Sequence, residues 1–291
     1  MFLLVGGDSE IGAATFADAK ARGIAIASTT RRPERVAPDR PFLDLAVPLD
    51  AFAAPEETTS ACICAAVARL AACAADPAGT ERINVAQTLA LVEKLLARDI
   101  AVLFLSSNQV FDGLKPRLPA DAPYHPLNEY GRQKSVTETA LLELYGQGEP
   151  VAILRISKVV SPNLPLIHDW IAAVKAGKPI RAFYDMTLSP VPVDRVCAAI
   201  LALMEDRARG IFQLTGPYDI TYAEVARYIV KKLGGDPALV TETSTHEGGL
   251  PDGIARPNTS LDSTRLQEAY CITVPDPWAV IDRVMASSPP R

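Results

Sequence analysis

Phe2-Leu3-Leu4-Val5-Gly6-Gly7-Asp8-Ser9-Glu10-Ile11-Gly12 opens the chain with four apolar residues, two glycines and the first turn of a helically spaced segment. A short apolar run ended by glycine reads as a buried strand. Ile11 to Arg22 keeps helical spacing, with Gly23 behind it as a natural stop. Ile24-Ala25-Ile26-Ala27-Ser28 is then a second strand. Strand, glycine turn, helix and strand in this order make the unit of a parallel sheet. Glycines in such a turn let the backbone approach a pyrophosphate at the helix N-terminus. The candidate cradle is Gly6, Asp8, Ser9, Glu10, Ile11 and Gly12. Its pattern is Gly-x-x-Ser-x-x-Gly, with Ser9 where a middle glycine is usual. Serine is small and can itself hydrogen-bond a phosphate, so the replacement reads as tolerated. A tight turn without a ligand is the alternative.

The alternation continues downstream. Pro41 to Leu45 reads as a third strand, and Ser60 to Cys64 as a fourth that runs into Ala65-Ala66. Glu81 to Arg98 has long helical periodicity, and Ile100 to Ser106 is a fifth strand. A helix around residue 130 and a strand from Val151 to Ile156 complete a doubly wound α/β pattern. The pattern changes after about Pro162. Leu164 to Ala176, Val193 to Met204 and Tyr222 to Leu233 read as helices, and Ile211 to Leu214 as a strand. Asp236 to Pro257, rich in Gly, Pro and Thr, reads as a loop. Residues 1–160, completed by about 188–216, are expected to form the dinucleotide-binding domain. Residues 161–187 and 217–291 are expected to form a smaller lobe over the strand ends, where open α/β sheets bind ligands.

Composition narrows the function classes. The 291 residues are 48% hydrophobic, enough for a sizeable core, yet no apolar run approaches the ~20 residues of a membrane span. Phe2 to Val5 is too short for a signal-peptide core and lacks a basic flank, so a cytoplasmic protein is expected. A net charge of −5 argues against nucleic acid as the main partner. The five cysteines are an odd number, with Cys62 and Cys64 inside a hydrophobic run, and read as reduced, buried thiols. Cys-x-x-Cys spacing and nearby histidines are missing, so no metal site is expected.

Three further stretches carry chemistry. The second strand ends in Ser28-Thr29-Thr30-Arg31-Arg32. An acid about 20 residues past the glycine turn would bond the ribose of NAD. Thr30 lies there instead, followed by Arg31 and Arg32, and an arginine suits the 2′-phosphate of NADP. NADP(H) is therefore expected in preference to NAD(H). The second stretch, Leu105-Ser106-Ser107-Asn108-Gln109-Val110-Phe111-Asp112-Gly113, places two hydroxyls at the end of a buried strand. A serine there is positioned to bond a substrate carbonyl. The third is Asn128-Glu129-Tyr130-Gly131-Arg132-Gln133-Lys134. As a helix it puts Tyr130 and Lys134 on one face. A free tyrosine titrates near 10, and an ammonium one turn away is expected to lower that value. A second Tyr-x-x-x-Lys, Tyr228 and Lys232, lacks these surroundings and reads as helix surface.

Taken together, these motifs resemble those of the extended short-chain dehydrogenase/reductases, above all the nucleotide-sugar reductases of the dTDP-4-dehydrorhamnose reductase group. Asp185-Met186-Thr187-Leu188-Ser189-Pro190, Gly210 to Gly216 and Arg256-Pro257-Asn258-Thr259-Ser260-Leu261-Asp262 are similar to later segments of that group, as is Ile153 to Ser157. The resemblance covers nearly the whole chain. It implies a Rossmann-type doubly wound parallel sheet with a smaller mixed α/β substrate-binding lobe on the C-terminal side. It implies an NADPH-dependent reduction of a nucleotide-linked keto-sugar. Tyr130 would be the general acid, Lys134 would bond the nicotinamide ribose and Ser107 would hold the substrate carbonyl. Asp44 and Leu45 would flank the adenine, Ala65 and Ala66 would line the cofactor path, and Asn84 would be structural. Asn108, Lys158 and Arg256 would face the substrate, with His168 and Arg181 as further cations for a diphosphate. Departures are Ser9 for glycine, Asn108 for an acid and Ser157-Lys158 where an aromatic is common. The resemblance leaves open a non-catalytic regulatory protein of the same fold and a nucleotide-sugar epimerase. It is compatible with a homodimer.

Overall fold

The computed structural model describes residues 1–250 and 253–287. Strands are β1 (Phe2–Val5), β2 (Ile26–Ser28), β3 (Ser60–Ile63), β4 (Ala101–Ser107), β5 (Val151–Ile156), β6 (Val159–Val160), β7 (Ile180–Phe183), β8 (Thr187–Leu188), β9 (Val191–Pro192), β10 (Gly210–Leu214), β11 (Ile220–Thr221) and β12 (Val240–Thr243). Helices are α1 (Glu10–Ala21), α2 (Leu70–Ala75), α3 (Pro77–Glu81), α4 (Thr88–Leu96), α5 (Glu129–Gly146), α6 (Pro165–Lys175), α7 (Val193–Glu205), α8 (Tyr222–Lys232), α9 (Thr264–Tyr270) and α10 (Pro277–Ala286).

Six strands form one parallel sheet in the order β10-β5-β4-β3-β1-β2. Phe2 pairs with Ile26 on one side and with Ser60 on the other. The chain leaves β1 for one neighbour and later returns to the opposite one, so the strand order reverses between β1 and β3. That reversal opens a crevice at the carboxyl ends of these two strands. The central strands are buried on both faces, which explains why they read as continuous apolar runs. Leu4, Cys62, Leu103 and Leu154 pack with Ala199, Ile200 and Leu203 of α7 on one face. Val5, Ile63, Val102 and Ile153 pack with Leu91 and Leu95 of α4 and Leu141 of α5 on the other. Each such side chain contributes roughly 1.5–3 kcal/mol by leaving water.

A further core joins Ile167 and Trp170 of α6, Ile180 of β7, Ile229 of α8 and Ile281 of α10 beside the strand ends. Helix α8 is entered through a capping box. Thr221 Oγ1 accepts from the Glu224 amide at 3.0 Å, and the Glu224 carboxylate accepts from the Thr221 amide at 2.7 Å. Tyr228 and Lys232 face α10, where both reach Asp282, and the Tyr228 ring lies 4.7 Å from that of Trp278. This second Tyr-x-x-x-Lys pair clasps two helices.

The structure corrects four expectations. Pro41 to Leu45 is not a strand; it touches the extended end of β2 through one bridge, Thr30 to Phe42. Pro41 has no amide hydrogen to continue a ladder, and the Asp44 carboxylate turns the chain by accepting from the Ala46 amide at 2.9 Å. The segment 236–257 is not all loop, because Val240–Thr243 pairs in parallel with β7. Its Val-Thr-Glu-Thr sequence buries only Thr243, so the apolar signal of a strand is missing. The long helix around residue 90 starts at Pro77 behind the Asp76 cap and includes a π-helical stretch, Arg82–Gln87. Among the cysteines, Cys271 is exposed and Cys64 only half-buried.

Candidate active site

The glycine turn follows β1 directly. Gly6 has φ +94°, and a Cβ there would fall on the backbone of Ala65 after β3. A Cβ on Gly12 would collide with the Gly6 carbonyl. The turn is thus closed by glycine at both ends and keeps β1, β3 and α1 in close approach. Ser9 caps α1; its hydroxyl donates to the Gly6 carbonyl at 2.8 Å and accepts from the Gly12 amide at 3.1 Å. The hydroxyl expected to meet a phosphate is therefore engaged within the chain.

A cavity of about 280 Å³ runs from this turn across the end of β2. Gly6, Asp8, Ser9, Arg31, Arg32, Asp44, Leu45, Ala65 and Ala66 line it; Gly12 and Thr30 do not, but bond to Ser9 and Asp8, which do. The sequence showed no acid beside Thr30, but the fold brings one. The Thr30 hydroxyl donates to Asp8 Oδ2 at 2.7 Å, and Arg40 and Arg35 approach Asp8 Oδ1 at 3.1 and 3.4 Å. Burial opposes ionisation of Asp8, but the Thr30 hydroxyl, the Arg31 backbone and the Arg40 and Arg32 guanidiniums outweigh it and hold the carboxyl below its ordinary range. Arg31 and Arg32 stand exposed at the cavity rim, and Arg40 and Arg35 offset the Asp8 charge.

A second cavity of about 490 Å³ continues the crevice. Ser9, Glu10 and Ile11 reach it from the glycine turn, Ser107 and Asn108 from the end of β4, and Tyr130 from α5. Lys158, Arg256, Tyr222, Met186, Thr187, Ile254 and Thr259 close its far side. Asn128 starts α5 by accepting from the Gly131 amide at 2.9 Å, while its Nδ2 donates to Gln109 Oε1 at 2.8 Å. The start of α5 is thereby tied to the turn after β4. Gly131 sits against the Gln109 carbonyl, where no side chain fits.

Lys134 lies beneath the cavity floor, 3% exposed. Its Nζ donates to the Leu105 carbonyl at 2.8 Å and lies 4.1 Å from the Phe104 ring centroid and 5.8 Å from that of Tyr130. Burial pulls its pKa down to about 8, against the opposing charge of Glu138 and the nearby Cys64, Cys62 and Cys73. Tyr130 departs from expectation. Burial, with a smaller effect of Cys73, pushes its phenol up from 10, and Lys134 does not reverse this. Ser107 accepts from the Gln109 amide at 3.2 Å and stays half-buried at the cavity wall. Ser106 turns away and donates to Glu138. Asn84 bonds Gln133 of α5 at 2.7 Å and the Val67 backbone, joining the π-helical stretch to α5.

Arg256 is 2% exposed. One nitrogen donates to the Phe111 carbonyl, while Nε and Nη2 have no partner among the described residues. Burial lowers its pKa to about 10, partly offset by Asp112. A buried guanidinium with two unused nitrogens at a cavity wall is costly unless an anion meets it. Lys158 is exposed at the same cavity. His168 bonds the Pro162 carbonyl, Arg181 approaches Thr243, and neither lines the cavity. Sequence reading missed Tyr222 and the buried ion pair of Glu138 and Arg155. The one available signal was Arg155 itself, a charge in the middle of an apolar strand.

Among the described residues no helix is long and apolar enough to cross a membrane, and no cluster of His, Cys, Asp and Glu is placed to hold a metal. The parallel sheet and its glycine turn at the strand reversal form a Rossmann-type α/β fold, and the chain is an enzyme of the extended short-chain dehydrogenase/reductase type. The chain belongs to the family described as the RmlD substrate binding domain, which matches residues 1–287. It is 26% identical over 213 residues to a probable low-salt glycan biosynthesis reductase of Haloferax volcanii, covering 70% of this chain and 69% of the relative. It is 25% identical over 205 residues to a dTDP-4-dehydrorhamnose reductase of Sinorhizobium fredii, covering 64% and 66%. The crystal structure of a dTDP-4-dehydrorhamnose reductase from Clostridium acetobutylicum superposes with a TM-score of 0.80 over 98% of both chains, at 17% identity.

Proposed function

We propose that this protein is an NADPH-dependent reductase of a nucleotide-linked keto-sugar. The observation that carries the reading is the single cavity shared by Ser107, Tyr130 and the partly unpaired Arg256. The glycine turn fits a dinucleotide, because Gly6 and Gly12 let β1, β3 and α1 close together around a turn that opens onto the cavity at the N-terminus of α1. Gly6 to Gly12 and the N-terminus of α1 would hold the pyrophosphate, Arg31 the 2′-phosphate and Lys134 the nicotinamide ribose. When bound, NADPH supplies a hydride to the carbonyl carbon. Ser107 orients the carbonyl oxygen by hydrogen bonding. Tyr130 delivers its hydroxyl proton to that oxygen. Its raised pKa keeps the phenol protonated at neutral pH, as a proton donor must be. The positive charge of Lys134 then favours the phenolate left behind.

Arg256 and Lys158 receive the diphosphate of the sugar nucleotide, Arg256 through the two nitrogens the protein leaves unused. Free dTDP or UDP should compete with the substrate at millimolar concentration without displacing NADPH. Failure of both to inhibit, together with rapid reduction of small free ketones, would remove the nucleotide sugar and leave only a ketone reductase. Two observations weigh against the epimerase and regulatory readings. Arg31 and Arg32 at the rim where a 2′-phosphate would sit fit a dissociable NADPH, and the Ser107, Tyr130 and Lys134 set is complete.

A further inference from the structure

Glu138 is fully buried on α5, one turn beyond Lys134 and two beyond Tyr130. Both carboxylate oxygens are used. One accepts from Ser106, the residue before Ser107 on β4. The other accepts from the Tyr124 hydroxyl at 2.9 Å and from Arg155 Nε and Nη2 at 2.9 and 2.7 Å. Arg155, on β5, is held in turn by the Ala120 carbonyl at 2.9 Å and Gln213 Oε1 at 3.2 Å, beside the stacked rings of Phe111 and Tyr124. A buried ion pair is seldom more stabilising than apolar side chains of the same size. Stability therefore does not account for this one, whereas its connections do. It joins α5, the helix that carries Tyr130, to β5 and to β4 at Ser106, the neighbour of Ser107.

We propose that Glu138 is a positioning residue with two roles: it fixes the end of β4 against α5, and it places a negative charge beside Lys134. The second role is electrostatic. Facing Lys134 are Tyr130 and Glu138 on its own helix, Cys62 and Cys64 from the end of β3, Cys73 from α2 and the Leu105 carbonyl of β4. Facing Glu138 are Arg155 of β5 and Tyr124. Among the described residues Glu138 is the one carboxylate facing Lys134, one helical turn away on α5.

The charge role is tested on the full chain without ligand, by following the lysine ε-carbon NMR signal of Lys134 against pH. Glu138→Gln should move its midpoint to lower pH, while Glu138→Asp and Ser106→Ala, which keep the charge, should leave it near that of the unmodified protein. An unmoved midpoint in a folded Glu138→Gln variant would overturn the charge role. If Glu138→Gln does not fold, Glu138→Asp must still titrate as the unmodified protein does, and a shifted midpoint there overturns the role instead. The positioning role rests on the reductase reading and is tested by turnover. Ser106→Ala and Glu138→Asp should lower kcat by ~10-fold with little change in NADPH affinity, as a small misplacement of reacting groups does. Unchanged kcat in both variants would overturn it. The titration needs no substrate, so a Lys134 shift in a protein without turnover would sink the reductase reading and keep the charge assignment.

Discussion

At the scale of single residues, the candidate chemistry rests on groups kept in unfavourable states. Lys134 titrates near 8 in the folded chain, against 10.5 in the open. Between these values the folded protein releases a proton that the unfolded chain retains, so stability rises with pH across that window and the penalty is complete below it. Lys134→Met should therefore be more stable than the unmodified protein at pH 7, by on the order of 3 kcal/mol, and lose that advantage towards pH 10.5. Denaturant titrations at both ends check this, and the variant should bind NADPH more weakly throughout. Arg256→Met removes a buried charge with two unpaired nitrogens, so folding stability should not fall. KM for the nucleotide sugar should rise by about 10-fold or more, with a smaller change in kcat, because the diphosphate does not react. Steady-state kinetics beside a melting curve separates the two effects. The sequence made Tyr130, Lys134 and Ser107 legible because one helix and one strand end carry them. It hid Asp8 beside Thr30, 22 residues away, and Glu138 beside Arg155. Those pairs exist only once β1, β2, β5 and α5 are assembled. The direction of the Tyr130 shift was missed for the same reason: spacing reports a neighbour, whereas desolvation is set by the whole surroundings.

Among the elements, the contact between α5 and the turn after β4 decides whether Tyr130 faces Ser107. Gly131 permits that contact, since any side chain there would strike the Gln109 carbonyl. Gly131→Ala should push α5 outward. Turnover should fall by ~10²-fold while NADPH still protects the protein, because the glycine turn lies on other elements. Kinetics and cofactor titration on the same preparation check it; unchanged turnover would mean that the helix is held elsewhere. The sheet strands were legible because burial on both faces leaves continuous apolar runs, as in Ala101 to Leu105 and Val151 to Leu154. Strand β12 was not, because its Val-Thr-Glu-Thr sequence pairs with β7 while keeping most side chains outside the core. Pro41 to Leu45 misled for the opposite reason. Leu43 and Leu45 are buried and line the smaller cavity, yet their backbone is not in the sheet.

For the molecule as a whole, the crevice reads as one path from Arg31 through the glycine turn to Arg256, formed by two adjoining cavities. A ligand that binds only the folded chain stabilises it by mass action, by about 2.7 kcal/mol at a hundred times its Kd. Saturating NADPH should raise Tm by roughly 5 °C or more. NADH at the same concentration should do less, and Arg31→Ala should remove most of the difference. Equal shifts in the unmodified protein would end the case for NADPH preference. The central claim is hydride and proton delivery to a nucleotide-linked ketone with Tyr130 as acid. It is tested most directly by following NADPH absorbance with dTDP-4-dehydrorhamnose, using the unmodified protein and Tyr130→Phe side by side. The account predicts consumption of one NADPH per ketone reduced, and a loss of ~10²-fold or more in Tyr130→Phe with NADPH affinity retained. Undiminished turnover in Tyr130→Phe, or NADPH that binds and is never consumed, would contradict it.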